Sequence, residues 1–409
     1  MKLAFLAAFF LLGSWVLAES NFPYLGTDTA KANLPLNQIL SAGPPPQGVP
    51  ALGFSGNSTG QIPPTAAPRF IPVGEARWLS PEEPVIVYGG RAYPLQVLLW
   101  HEIVNQSLEE PVAVTFCPLS DSALVFDRRV PLSNAQREAV LKLNPKAKIA
   151  PLDAGFRAAY KLQTGQEAPP WGLEVTFGTS GMLYNSNTLM FDSATGSIFP
   201  QISGEGGVGT LAGARLLRYP AQVVSFAEFV RAYPGGLVLS RETGFTRPYE
   251  QNPYLGYDRM DTPPFLDLGA RDNRLPPKER VVALELIAEP VVYPFSTLAE
   301  KRVINDTVGG IELVVWWTPG TRSALDASPI AKSRDIGAVG VFKRSLEGRT
   351  LNFVWDGRGW VDQESGSRWN LLGQAVEGPL KGKRLAAVPY ENALWFAWSA
   401  FRPNTQIRR

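Results

Sequence analysis

The sequence predicts an α+β, β-rich protein built from two homologous repeat lobes of mostly antiparallel strands with short helices. Two observations carry that prediction. An ordered series of motifs occurs twice, and strand-like runs bounded by Gly and Pro recur throughout. The first series is Arg91-Ala-Tyr93-Pro94-Leu95, His101-Glu-Ile-Val-Asn105, Val112-Ala-Val-Thr-Phe116 and Ser122-Ala-Leu124. It returns about 200 residues later as Val292-Tyr293-Pro294-Phe295, Lys301-Arg-Val-Ile-Asn305, Ile311-Glu-Leu-Val-Val315 and Ser323-Ala-Leu325. A second block repeats at a spacing of about 170. Ala194-Thr-Gly196-Ser-Ile-Phe199, Gly204, Gly209 to Gly213 and Phe226 to Pro234 answer to Glu364-Ser-Gly366-Ser-Arg-Trp369, Gly373, Gly378 to Gly382 and Trp395 to Pro403. Order and glycines are both kept, so duplication explains the pattern better than chance.

Within one unit, Val85 to Tyr88, Gly89-Gly90 and Arg91 to Tyr93 read as a hairpin with a two-residue glycine turn. Leu95, Leu98, Leu99 and Ile103 recur at helical spacing, which puts His101 on a short helix. Val112 to Phe116 is β-branched and aromatic, hence a buried strand, and Cys117-Pro118 leaves it because proline cannot continue a central ladder. An insertion over residues 130–171 interrupts the first lobe. There Ser133 and Gln136 form a capping-box pattern, and Pro145 stops the helix that follows.

The predicted organisation is a signal peptide over 1–18, a Pro/Gly-rich linker over 19–68, lobe 1 over 69–260, a second linker over 261–278 and lobe 2 over 279–409. Lys2 followed by the apolar run Leu3 to Leu17 and small residues to Ala18 makes the export signal. An uncleaved N-terminal anchor is the alternative. No later stretch is long enough to span a bilayer, so the expected location is secreted or periplasmic. Residues 19–68 are expected to be a tether or surface strap, with ordered structure beginning near Arg69. A net charge of +2 supplies no basic field for nucleic acid. The 45% apolar content supports packed cores, and one cysteine excludes an intramolecular disulfide.

Arg91-Ala-Tyr-Pro-Leu, Trp100-His-Glu-Ile-Val-Asn105, Val114-Thr-Phe-Cys-Pro-Leu119, Ser122-Ala-Leu-Val-Phe-Asp127, Gly181-Met-Leu-Tyr-Asn185-Ser-Asn187, Ser240-Arg-Glu-Thr-Gly244 and Asn252-Pro-Tyr-Leu-Gly-Tyr-Asp258 stand in order, with Glu364-Ser-Gly-Ser-Arg-Trp369 near the end. Together they resemble the bacterial domain of unknown function 3179 family, from about Pro84 to the C-terminus. The resemblance implies an exported protein and names no substrate. Members commonly show Cys-Pro-Leu-Cys where this chain has Cys117-Pro118-Leu119-Ser120, and the insertion after Asp127 is longer than usual.

The only histidine and the only cysteine both lie in the first copy, whereas the second has Lys301 and Trp317 or Thr318 at those places. His101 and Cys117 are therefore candidate catalytic residues and candidate metal ligands. Glu102, Ser120 and Asp121 are neighbours in sequence that could join them. Copper or zinc suits a thiolate and an imidazole, with Glu102, Asp121, Met182 or Met190 completing the set. The competing chemistry is a Cys117 thiolate activated by His101. The structural alternative is a buried thiol and a hydrogen-bonded core imidazole. Asn185, Asn187, Arg241 and Glu242 form a second candidate group, able to bind a ligand or to serve turns and ion pairs. Trp316, Trp317, Trp355, Trp360, Trp369, Trp395 and Trp398 raise carbohydrate binding, although their apolar neighbours point to core strands. The expected function is an extracytoplasmic binding or accessory protein with a metal- or thiol-type site in lobe 1, its partner a small molecule or metal ion. An enzyme of unknown reaction using Cys117 and His101 is one alternative, and a carbohydrate-binding or purely structural protein is another.

Overall fold

The structure is a computed structural model that describes residues 21–266, 272–286 and 289–409, so the segment 1–18, expected to be a signal peptide, lies outside the described residues. Strands and short helices dominate, as an α+β, β-rich chain requires. The first copy contains β1 (Pro84–Tyr88), β2 (Arg91–Pro94), α1 (Leu95–His101), β3 (Ile103–Ser107), β4 (Pro111–Cys117), β5 (Ser122–Asp127), β6 (Phe177–Tyr184), β7 (Asn187–Asp192), β8 (Gln222–Ser225) and α2 (Phe226–Ala232). The second repeats the order as β9 (Arg280–Leu286), β10 (Glu289–Pro294), α3 (Phe295–Lys301), β11 (Val303–Val308), β12 (Ile311–Thr318), β13 (Ala338–Lys343), β14 (Phe353–Trp355), β15 (Trp360–Asp362), β16 (Glu391–Leu394) and α4 (Trp395–Phe401). In each copy one sheet carries the hairpin β1-β2 or β9-β10 with β8 or β16 added at its edge. A second sheet carries β3-β4-β5 or β11-β12-β13. Turn chemistry starts the first hairpin, since Gly89 and Gly90 both take positive φ.

The duplication extends to side chains that hold the strands in place. Asn105 reaches across to β6, donating to Phe177 O at 2.9 Å and accepting from Phe177 N–H at 2.8 Å. Asn305 does the same to Phe353, at 2.9 and 3.0 Å. After β7, the buried Asp192 carboxylate accepts N–H groups of Ala194, Thr195 and Ser197 at 2.7–2.8 Å. After β15, Asp362 accepts from Ser365 N–H at 2.7 Å and from the Trp369 indole at 2.9 Å. The Gly209 and Gly378 matches have a steric cause. A Cβ at Gly209 would sit 2.6 Å from Ser197 Oγ, and one at Gly378 would sit 2.7 Å from Ser367 Cα, both with φ near 100°.

The copies exchange packing surfaces. Strand β8 lies against β13 of the second copy, and β16 lies against β5 of the first. Val85, Val87, Phe226 and Phe229 share a core with Trp316, Phe342 and Trp360. Each such side chain contributes roughly 1.5–3 kcal/mol when fully buried. Leu394 N–H donates to Ser120 O at 2.8 Å across the seam. Six of the seven tryptophans considered for sugar binding are buried, and Trp355 is half-buried, so they fill cores and form no exposed stacking platform.

Three expectations are corrected. Ordered structure begins before Arg69: a helix at Asn21–Leu25 and a strand at Leu40–Ser41 are present, and the strand pairs with β6. Phe22, Leu25, Ile39, Phe54 and Ile62 fill the first copy's main core. Extended chain between prolines drops single apolar side chains inward, while its backbone bonds elsewhere, as between Leu52 and β3. Next, Ser323 to Leu325 is a loop, and the strand equivalent to β5 is β13. Lastly, the presumed linker over 261–278 is no mere spacer, because Leu266 and Lys278 are buried. The insertion adds helices Asn134–Leu143 and Ala154–Thr164 on a three-stranded sheet, and Ser133 and Gln136 make the capping box.

If the two Asp-centred turns are equivalent in function as well as form, their removal should cost alike. Asp192→Ala and Asp362→Ala should each lower stability by about 2–4 kcal/mol in urea denaturation, since several buried N–H groups lose their acceptor. A loss below about 0.5 kcal/mol at either position would contradict the role given to these carboxylates.

Candidate functional site

Helix α1 stops because Glu102 adopts φ 55° and returns its N–H to Leu98 O. Arg302 repeats this device after α3, with φ 67°. The reversal sends consecutive side chains to different partners. The His101 ring is fully buried, with Nδ1 2.7 Å from Pro50 O and Nε2 2.7 Å from the Tyr249 hydroxyl. A carbonyl can only accept, so Nδ1 carries the proton and Nε2 accepts from Tyr249. Burial pulls the imidazole down to about 4, which leaves it neutral. Its ring neighbours are Phe245 and Tyr249.

Cys117, at the end of β4, is fully buried among Leu40, Leu119, Leu183 and Leu266. Its Sγ accepts from Thr188 N–H and from the Thr188 hydroxyl, both at 3.4 Å. Burial and the neighbouring Glu102 carboxyl push the thiol up, away from the thiolate. Burial also raises Glu102 itself to about 7, against a hydrogen bond with Thr188. The pairing of His101 with Cys117 is therefore corrected: both ring nitrogens are engaged elsewhere, and the sulfur faces threonine. Neither activated-thiol chemistry nor a shared copper or zinc ion is supported. Among the described residues no group of three or more His, Cys, Asp and Glu is placed to hold a metal. Met182 and Met190 lie in a different core from Cys117.

The other sequence candidates divide. Ser120 Oγ touches Ser122 Oγ at 2.8 Å and accepts from Asn187 Nδ2 at 3.0 Å, so Ser120 and Asn187 lie together beside Cys117. Asn187 is fully buried and also accepts from Ile202 N–H, a structural role. Asn185 and Ser186 take positive φ in the β6-β7 turn. Arg241 donates to Gln96 at 3.0 Å and stacks 4.3 Å from Trp78, whereas Glu242 pairs with Arg69 at the surface. Arg241 and Glu242 thus face different partners and are not brought together as one binding group.

Asp121 leads to a site that the motif reading missed. With φ 53° it turns its carboxylate to Arg280, the first residue of β9, at 2.5 Å. The same buried guanidinium bonds Asp258, whose Oδ2 also accepts from Ser323 Oγ at 2.5 Å and Arg334 at 2.9 Å. Asp258 is raised by burial, but Arg280 and the hydrogen bonds outweigh that and hold its carboxyl below the usual range. Asp258 Oδ1 is buried and has no hydrogen-bond partner among the described residues. Beside them Lys278 Nζ donates to Tyr257 O at 2.9 Å and lies 3.2 Å from the Tyr257 ring centroid. Burial lowers this ammonium to about 7, against the pull of Asp258 and Asp121. Asp258, Lys278, Arg280 and Arg334 line a cleft of about 660 Å³, together with Phe295 and Ser296 of α3. The available signal was the motif Asn252 to Asp258, which ends on the central carboxylate.

The neutral His101 makes a signed prediction. Its unfolded form protonates near 6.5 and its folded form near 4, so its contribution is complete above 6.5 and is lost as pH falls towards 4. Glu102 and Glu391, both raised to about 7 by burial, act in the opposite sense, so the comparison must be made against a variant. Between pH 7.5 and pH 5 the stability advantage over His101→Gln should shrink by about 2 kcal/mol in chemical denaturation. An advantage that grows on acidification would contradict the neutral, buried imidazole.

No curated protein and no solved structure matches the chain. The family model described as protein of unknown function, DUF3179, matches residues 59–405, most of the sequence, and the chain belongs to that family.

Proposed function

We propose that this chain is an extracytoplasmic binding protein whose ligand occupies the cleft between the segment at 258–261 and the second copy. The apolar run Leu3 to Leu17 behind Lys2 supports export. A single observation carries the binding assignment. The cleft is lined by a buried charge cluster in which the Lys278 ammonium donates to Tyr257 O and, among the described residues, keeps unused donor capacity. Buried polar groups are ordinarily paired, and those left over at a concave surface are where a ligand gains most from specific contacts. The Cys117 thiol and His101 imidazole, being buried and hydrogen-bonded, serve the scaffold.

The test is a thermal-shift screen of small polar compounds against the full mature chain and Ser296→Trp. Ser296 is exposed on α3, so the new indole fills the cleft without disturbing the core. A ligand at 100 times its Kd should stabilise the native protein by about 2.7 kcal/mol, and Ser296→Trp should abolish that gain. Hits that stabilise both proteins equally, or no hits at all, would remove the cleft as the binding site.

A further inference from the structure

Every guanidinium in the cleft has a carboxylate partner: Arg259 with Asp261, Arg280 with Asp258, and Arg334 with both Asp258 and Asp326. Lys278 differs. Among the described residues no carboxylate comes within ion-pair distance of it, and its neighbours are one carbonyl and the faces of Tyr257 and Phe396. Burial deprives this ammonium of a full hydration shell and favours the neutral amine, against the attraction of the two aromatic faces for the charged form. Its ordinary value of 10.5 accordingly falls to about 7. Once it is neutral, carboxylates exceed cations around it, which disfavours an anionic ligand.

We propose that Lys278 is a nucleophilic amine that captures a small uncharged hydroxyaldehyde in the cleft as an imine. The proposal rests on the cleft being the ligand site. The Nζ lone pair adds to the carbonyl carbon, and one N–H proton moves to the oxygen to give a carbinolamine. The hydroxyl then leaves with the second N–H proton as water, and the C=N bond forms. No oxidant or reductant takes part. The exposed Ser296 hydroxyl supplies an acceptor for a hydroxyl group of such a compound, and Phe295 in the same lining offers an apolar surface to its carbon chain.

The test uses the full mature chain with glyceraldehyde and cyanoborohydride, which reduces an imine to a stable amine, followed by peptide mass mapping. Lys278 should acquire the adduct about tenfold faster, or more, than the exposed Lys31, Lys161 and Lys383. Lys278→Arg should remove the fast phase while keeping the native melting temperature, and Ser296→Trp should slow it. Labelling of Lys278 no faster than that of the exposed lysines would overturn the proposal. If Ser296-sensitive stabilisation by small compounds persists in that case, only the amine chemistry fails; if it is absent as well, the cleft reading fails too.

Discussion

One buried guanidinium organises this protein. Arg280 opens the second copy, and it is bonded to Asp121 from the first copy and to Asp258 from the segment between them. Removing a guanidinium and two carboxylates from water costs several kcal/mol per ion, and only dense mutual pairing repays it. Ser323 and Arg334 complete the pairing on the Asp258 side. The arrangement therefore demands that three distant parts of the chain arrive together. It also forms part of the cleft lining, so the same contact that registers the two copies shapes the candidate site.

The duplicated scaffold explains why the chemistry sits where it does. Asn105 and Asn305, and Asp192 and Asp362, perform one task in each copy, because the strand geometry they hold is common to both. The positions that diverge, His101 against Lys301 and Cys117 against Thr318, lie at the end of α1 and of β4 and at the ends of their counterparts. In the first copy those side chains are enclosed by residues 40–50, by Tyr249 and by Leu266, parts outside the repeat. Divergence there follows from a different covering layer, and the Cys117 and His101 environments are apolar or satisfied as a result.

Much of the fold was legible in the sequence, for reasons that can be named. Gly89-Gly90, the helical spacing of Leu95, Leu98 and Leu99, and the Ser133–Gln136 capping box are local signals, and local physics decides them. The matched pair Gly209 and Gly378 was legible because a Cβ at either position would strike a serine, Ser197 or Ser367. The segment 21–68 was misread because composition reports how much apolar surface a stretch has, and not where each side chain lands. Phe22, Phe54 and Ile62 are few, yet each enters a core built by other elements. The candidate site was less legible still. His101 and Cys117 stand sixteen positions apart in sequence, but the positive φ at Glu102 sends the imidazole and the chain that follows towards different partners. Asp121 was singled out only for its place beside Cys117, while its partner Arg280 is far along the chain and carries no motif. Such pairings become visible only when the chain is folded.

The central claim is that Arg280 couples the two copies through Asp121 and Asp258, and a double-mutant cycle tests it directly. Arg280→Met, Asp121→Leu and the double variant would be compared by chemical denaturation. Either single change leaves a buried charge short of a partner and should cost about 3–5 kcal/mol. The double variant should then cost at least 1 kcal/mol or so less than the sum of the two. Additivity within about 0.5 kcal/mol would show that the two side chains act independently and would contradict the account.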